Sequence, residues 1–137
     1  MSSLFRKTRN MFIRYIVKTE RFAESHYIKK FSKKYKNYWE PTLKGLILEL
    51  ERFNESNHDR PISSCENISV YKIYFRVAGT NFSRKSSGNR CIVSLDKEKN
   101  EIKILLVYHK NDIGTKNETI TWKKIIKDNY DGYSFLK

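Results

Sequence analysis

The stretch from Gly88 to Lys110 constrains this chain more than any other. It holds two apolar runs, Cys91-Ile92-Val93-Ser94-Leu95 and Ile102-Lys103-Ile104-Leu105-Leu106-Val107-Tyr108, joined by a charged link over 96–100. Short runs rich in Ile, Val and Leu around a polar link that ends in Asn100 predict an antiparallel β-hairpin. Such a hairpin brings Arg90, at the entry of its first strand, close to Tyr108, His109 and Lys110 at the end of its second. A guanidinium, an imidazole and a phenol at one sheet edge can hold a phosphate and move a proton near it. Side chains alternate along a strand, so Tyr108 and His109 point to opposite faces unless a bulge intervenes.

The preceding segment, residues 68–77, also alternates and predicts a strand, with Lys72, Tyr74 and Arg76 tending to one face. Residues 78–89, with Gly79, Gly88, three serines, Arg84 and Lys85, read as a flexible basic loop. Upstream, residues 11–18 predict a strand. From Glu20 the apolar period becomes helical: Phe22, Ala23, Tyr27, Ile28 and Phe31 share a face, and Lys29, Lys30, Lys33 and Lys34 line the outside. Thr19 is the expected cap. Pro41 fits the first turn of a second helix carrying Leu43, Leu46, Ile47, Leu50 and Phe53, where Gly45 suggests close packing. Residues 54–67 read as a loop and 112–117 as a turn. A last helix is expected over 120–129, capped by Thr119. The expected order is β-α-α-β-β-β-α, an α+β fold with a twisted, mainly antiparallel sheet and a two-helix hairpin on one face.

The length of 137 residues suits one domain. The expected division is a basic arm over 1–10, a single domain over 11–129 and a tail over 130–137. Lys and Arg outnumber Asp and Glu by 28 to 15, a formal net charge of +13. A field of that sign favours nucleic acid, an anionic surface or an acidic partner. Cys65 and Cys91 lack ligand spacing, which argues against a metal site and for a reduced, cytoplasmic setting. No apolar run is long enough to span a membrane, and residues 1–10 lack the apolar stretch of a signal peptide.

The strand, helical hairpin and three strands with a basic loop before a Gly-x-Arg-x-Ile run resemble the RelE/ParE superfamily of bacterial toxin-antitoxin toxins. The likeness is greatest to RelE- and HigB-like members and spans about residues 12–127. It is carried by Tyr71-Lys72-Ile73-Tyr74-Phe75-Arg76, the loop 83–88, Asn89-Arg90-Cys91-Ile92 and residues 104–110. The resemblance implies a RelE-like fold, a cytoplasmic toxin and a small antitoxin as partner. For the RelE branch it implies a ribosome-dependent messenger endonuclease, and for the ParE branch a gyrase inhibitor. Arg90 matches the family's sheet arginine at the scissile phosphate, and Lys72 and Arg76 match basic residues of the preceding strand. Tyr108, His109 and Lys110 fall where members place catalytic side chains. The sequence departs from the pattern at Val93, where an aromatic residue is common. No motif fixes a C-terminal catalytic tyrosine, for which Tyr130 and Tyr133 are the candidates.

Metal-independent RNA cleavage needs a base for the 2′-hydroxyl proton, cations for the charge on phosphorus and an acid for the 5′-oxygen. The product is a 2′,3′-cyclic phosphate, and no cofactor is required. Histidine titrates in the right range, and arginine meets phosphate oxygens in pairs. Arg90, His109, Tyr108 and Lys110 are therefore the expected catalytic group. Lys72, Arg76, Arg84, Lys85 and the helix lysines 29, 30, 33 and 34 are the expected RNA contacts, the last four giving affinity without sequence readout. The rival readings are a same-fold gyrase inhibitor and an inactive RNA-binding relative.

Overall fold

The computed structural model describes residues 13–113 and 117–137. The expected basic arm, the first two residues of the expected first strand and the Gly114 turn lie outside those residues. Strand β1 (Ile16–Thr19) leads into helix α1, built from Arg21–Ala23, a wider π-helical turn Glu24–Ile28, and Lys29–Tyr35. A 3-10 turn, Lys36–Tyr38, reverses the chain into α2 (Trp39–Glu51). Strands β2 (Ser63–Cys65), β3 (Ile68–Phe75), β4 (Asn89–Asp96) and β5 (Glu101–His109) follow, and helix α3 (Glu118–Asn129) comes after them.

The strands form one five-stranded sheet in the order β1-β5-β4-β3-β2. The β5-β4, β4-β3 and β3-β2 pairs are antiparallel, and β1 joins β5 in parallel. The α+β class is as expected. Two cores lie on opposite faces of the sheet. On one face Ile28 and Phe31 of α1 and Trp39, Leu46 and Leu50 of α2 pack against Tyr71, Ile73, Cys91, Val93, Ile102 and Ile104. On the other, Trp122 and Ile126 of α3 cover Val70, Ile92, Leu106 and Tyr108. Burial on both faces explains why β4 and β5 read as nearly unbroken apolar runs rather than strict alternation.

The β4-β5 turn is fixed locally. Asp96 Oδ1 accepts from the Glu98 and Lys99 amides at 3.0 and 3.1 Å, and Asn100 takes a positive φ of 51°. The register then slips once: Ile92 pairs with Leu106, but Val93 pairs with Ile104. Leu105 is the extra residue of a β-bulge, and it inverts the facing of everything after it. Ile102 and Ile104 sit in the helical-hairpin core, whereas Leu106 and Tyr108 sit in the α3 core.

Several expectations are corrected. The stretch 54–67 is not all loop, because it contains β2, paired with β3 through Cys65 and Ile68. Thr19 ends β1 and Glu20 precedes α1, with no side-chain cap. The expectation for Pro41 holds: it is the third residue of α2, within the first turn, whose amides lack helical acceptors. Gly45 is exposed with nothing near a Cβ built on it, so it serves no close packing. Helix α3 starts two residues earlier than expected, at Glu118, so Thr119 lies inside it. The basic loop is pinned: the single Ser87 hydroxyl proton is shared between the Phe75 and Arg84 carbonyls, 2.5 and 2.6 Å from Oγ, and Arg84 pairs with Glu49 of α2. Residues 130–137 pack on the second core, with Tyr133 and Leu136 buried and the Tyr133 hydroxyl donating to Ser94 Oγ at 2.9 Å.

Candidate active site

Cross-strand register builds the site. Arg90 pairs with Tyr74 on one side and with Tyr108 on the other, so the three side chains stand in a row on the α3 face. Lys72, two residues before Tyr74, shares that face. The Arg90 guanidinium carbon lies 4.5 Å from the Tyr74 ring centroid, a cation-π stack. Its Nη1 donates to the carbonyls of Lys85 and Asn89, each at 3.2 Å. A phosphate contact calls for an accessible arginine, yet Arg90 is only 5% exposed. The stack and the two carbonyls compensate its burial, because an unpaired charge at such depth is costly.

Glu118, the first residue of α3, reaches over this row. Its Oε2 lies 2.9 Å from Lys72 Nζ and 3.8 Å from Arg90 Nε, and it accepts the Tyr108 hydroxyl at 2.7 Å. One carboxylate oxygen thus meets an ammonium, a guanidinium and a phenol. Burial alone would raise the Glu118 carboxyl pKa. The hydrogen bonds from Lys72 and Tyr108, with the charges of Lys72 and Arg90, outweigh it and hold that pKa below the ordinary value. Tyr108 moves the other way: burial first, then its bond to Glu118, keeps the phenol protonated. Among the described residues, the buried Arg90 Nε–H has no hydrogen-bond partner. It is a spare donor beside the carboxylate, placed where a larger anion with more oxygens would be better served than one carboxylate oxygen.

The other expected residues divide. Lys85 joins the group, its Nζ 5.6 Å from the Tyr74 ring centroid. His109 pairs with Asn89, the residue before Arg90, and so faces the helical hairpin rather than the Arg90 row. Both its ring nitrogens are occupied: Nδ1 accepts from the Asn111 amide at 3.1 Å, and Nε2–H therefore donates to the Ser87 carbonyl at 3.1 Å. Lys110 opens the 3-10 turn after β5, and its amide donates to the Gly88 carbonyl at 2.9 Å. Arg76 lies just past β3, exposed, with Nη1 3.5 Å from the Phe82 carbonyl. Arg84 is drawn away to Glu49. Lys29, Lys30, Lys33 and Lys34 are exposed on α1. Tyr130 and Tyr133 give their hydroxyls to the Leu105 carbonyl and Ser94 Oγ.

Glu118 and Tyr74 complete the cluster; neither was among the expected site residues, although Tyr74 lies in the run Tyr71–Arg76. The alternation of Lys72 and Tyr74 hints at the second; nothing local marks the first, which arrives from a helix beyond the hairpin.

Among the described residues, no group of His, Cys, Asp and Glu could hold a metal ion, and no helix is long and apolar enough to cross a membrane. Cys65 is exposed and Cys91 buried, and both are free thiols. The chain is similar to a mutant form of the E. coli toxin RelE solved in the free state, with 21% sequence identity and a TM-score of 0.49, over 82% of this chain and 98% of that one. No protein-family model and no curated protein matches it.

Proposed function

We propose that this chain is a RelE-like toxin of a toxin-antitoxin system. In this reading it is a metal-independent endoribonuclease acting on messenger at the ribosome, with an antitoxin protein as its partner. The observation that carries the reading is the convergence of Lys72, Arg90 and Tyr108 on one oxygen of Glu118. The carboxylate stands in for a phosphate oxygen. A surplus of 13 positive charges, 28 less 15, steers an RNA backbone towards it.

When an RNA phosphate takes the cations, Glu118 loses the bonds that lower its pKa and keeps the burial that raises it. Its basicity rises as the substrate arrives, which suits a general base. Glu118 takes the 2′-hydroxyl proton while the 2′-oxygen attacks phosphorus. The bond from phosphorus to the 5′-oxygen breaks, and the Lys72 ammonium supplies that oxygen with a proton. Arg90 and the Tyr108 hydroxyl stabilise the added charge on the non-bridging oxygens. The products are a 2′,3′-cyclic phosphate and a 5′-hydroxyl. His109, held by two backbone groups, fixes the β4-β5 corner. Lys85, Arg76, Lys110 and the α1 lysines contact the RNA backbone.

The test is 5′-end mapping of messenger in a translating extract, run beside a gyrase supercoiling assay. New ends inside ribosome-bound codons, with supercoiling unchanged, support the reading. Inhibited supercoiling with intact messenger overturns it. Occupation of the cations by Glu118 and of both His109 nitrogens by backbone favours one second reading, an RNA-binding relative without cleavage, which predicts bound but intact messenger.

A further inference from the structure

A cavity of about 150 Å³ lies between α1 and the end of β5. Strand β1 pairs only with residues 101–104 of β5, so the rest of that strand edge faces α1 instead of another strand. Aromatic side chains of Tyr27, Phe31 and Tyr35 wall the cavity, Lys30 and Lys34 hold their ammonium groups 5.9 and 5.3 Å from the Tyr27 and Tyr35 ring centroids, and exposed Asp112 joins the lining. Tyr27 belongs to the π-helical turn, a distortion often found at functional sites. Tyr108 borders the cavity too, while its hydroxyl lies in the anion cluster, so one side chain touches both sites.

We propose that this cavity is a base subsite that takes one pyrimidine, with cytosine preferred over uracil. The inference rests on the reading of the Lys72-Arg90-Tyr108 cluster as the phosphate site, and it names the base bound next to that phosphate. Size comes first: a cavity of about 150 Å³ accepts a single benzene-sized ring, which suits a pyrimidine and crowds a purine. Chemistry comes second. Aromatic walls stack any base, and lysines hold the flanking phosphate. Asp112, in the lining, offers a carboxylate that can accept from the cytosine 4-amino group, whereas uracil presents a carbonyl oxygen in that place and is repelled.

The test is calorimetric titration of the full chain with 3′-CMP, 3′-UMP, 3′-AMP and inorganic phosphate, with the ring resonances of Tyr27, Phe31 and Tyr35 followed by NMR. Expected is binding of 3′-CMP about tenfold tighter than of 3′-UMP, with weaker binding still for 3′-AMP and phosphate, and shifts at the three rings. Lys30→Ala with Lys34→Ala weakens all nucleotides, and Asp112→Asn removes the preference for cytosine. These residues are exposed, so the variants fold. Equal affinity for all four probes, or nucleotide binding indifferent to the three substitutions, overturns the subsite. Cleavage is read separately. Nucleotide binding in a chain that cuts no messenger keeps the subsite and removes the nuclease, and cutting without base preference does the reverse.

Discussion

The Tyr108 hydroxyl donates to Oε2 of Glu118 at 2.7 Å, joining the last strand of the sheet to the first turn of the last helix. The bond exists because Leu105 bulges. Without the bulge, Tyr108 would share the face of Ile102 and Ile104, under the helical hairpin, Val107 would stand opposite Arg90, and His109 would turn to the α3 face.

Tyr108→Phe keeps the ring in its core and removes only the donor. A hydrogen bond to a charged group is worth about 1.5–3 kcal/mol, and a loss of that order is expected in denaturant unfolding. The Glu118 carboxyl pKa should rise, since one of the bonds holding it down is gone. NMR titration of the Glu118 side-chain carboxyl measures the shift.

Glu118 also sets a pH dependence. Its folded-state pKa lies below the unfolded value, so its stabilisation is complete above the ordinary carboxylate range and is lost as pH falls through the lowered value. Glu118→Gln removes the titrating group. The stability gap between wild type and Glu118→Gln should therefore stay constant from about pH 7 down to about pH 5 and narrow only below that. A gap independent of pH would show that the carboxylate is not held by these cations.

Arg90 is best probed by lysine. Lysine keeps a charge but loses the planar stack on Tyr74 and the fork that meets two carbonyls. If Arg90 stabilises the added charge on phosphorus, Arg90→Lys should lower messenger cleavage by about 10²–10³ while circular dichroism stays native. Arg90→Ala is a poorer probe, because it leaves a hole in a buried site.

Gly88 takes a φ of +80°, and a Cβ there would lie 2.5 Å from His109 Nε2. Gly88→Ala should cost about 1–3 kcal/mol from backbone strain alone, plus the displacement of His109. In a double-mutant cycle, His109→Ala should recover the displacement cost but not the strain. Additive effects would mean that His109 does not seat against Gly88.

Much of this was legible beforehand. The hairpin, the strand carrying Lys72 and Tyr74, and the two amphipathic helices follow from period and turn chemistry. The proximity of Arg90 and Tyr108 follows from the hairpin. What period could not supply is the bulge at Leu105, since Ile104, Leu105 and Leu106 are all apolar and any of them could be the extra residue. Nor could it supply the burial of Arg90, which depends on α3 covering the second face. Glu118 stayed hidden for the same reason: its role is set by where a distant helix begins.

In the function proposed, Glu118 occupies the place of an RNA phosphate. The most direct measurement is the affinity of Glu118→Gln and of wild type for an RNA with a single 2′-deoxy nucleotide at the scissile position, which binds but cannot be cut, set beside their cleavage of the ordinary RNA. Glu118→Gln is expected to bind the uncleavable RNA about tenfold tighter, because a charged competitor is gone, and to cleave the ordinary RNA far more slowly, because the base is gone. Unchanged affinity together with unchanged cleavage would contradict that function.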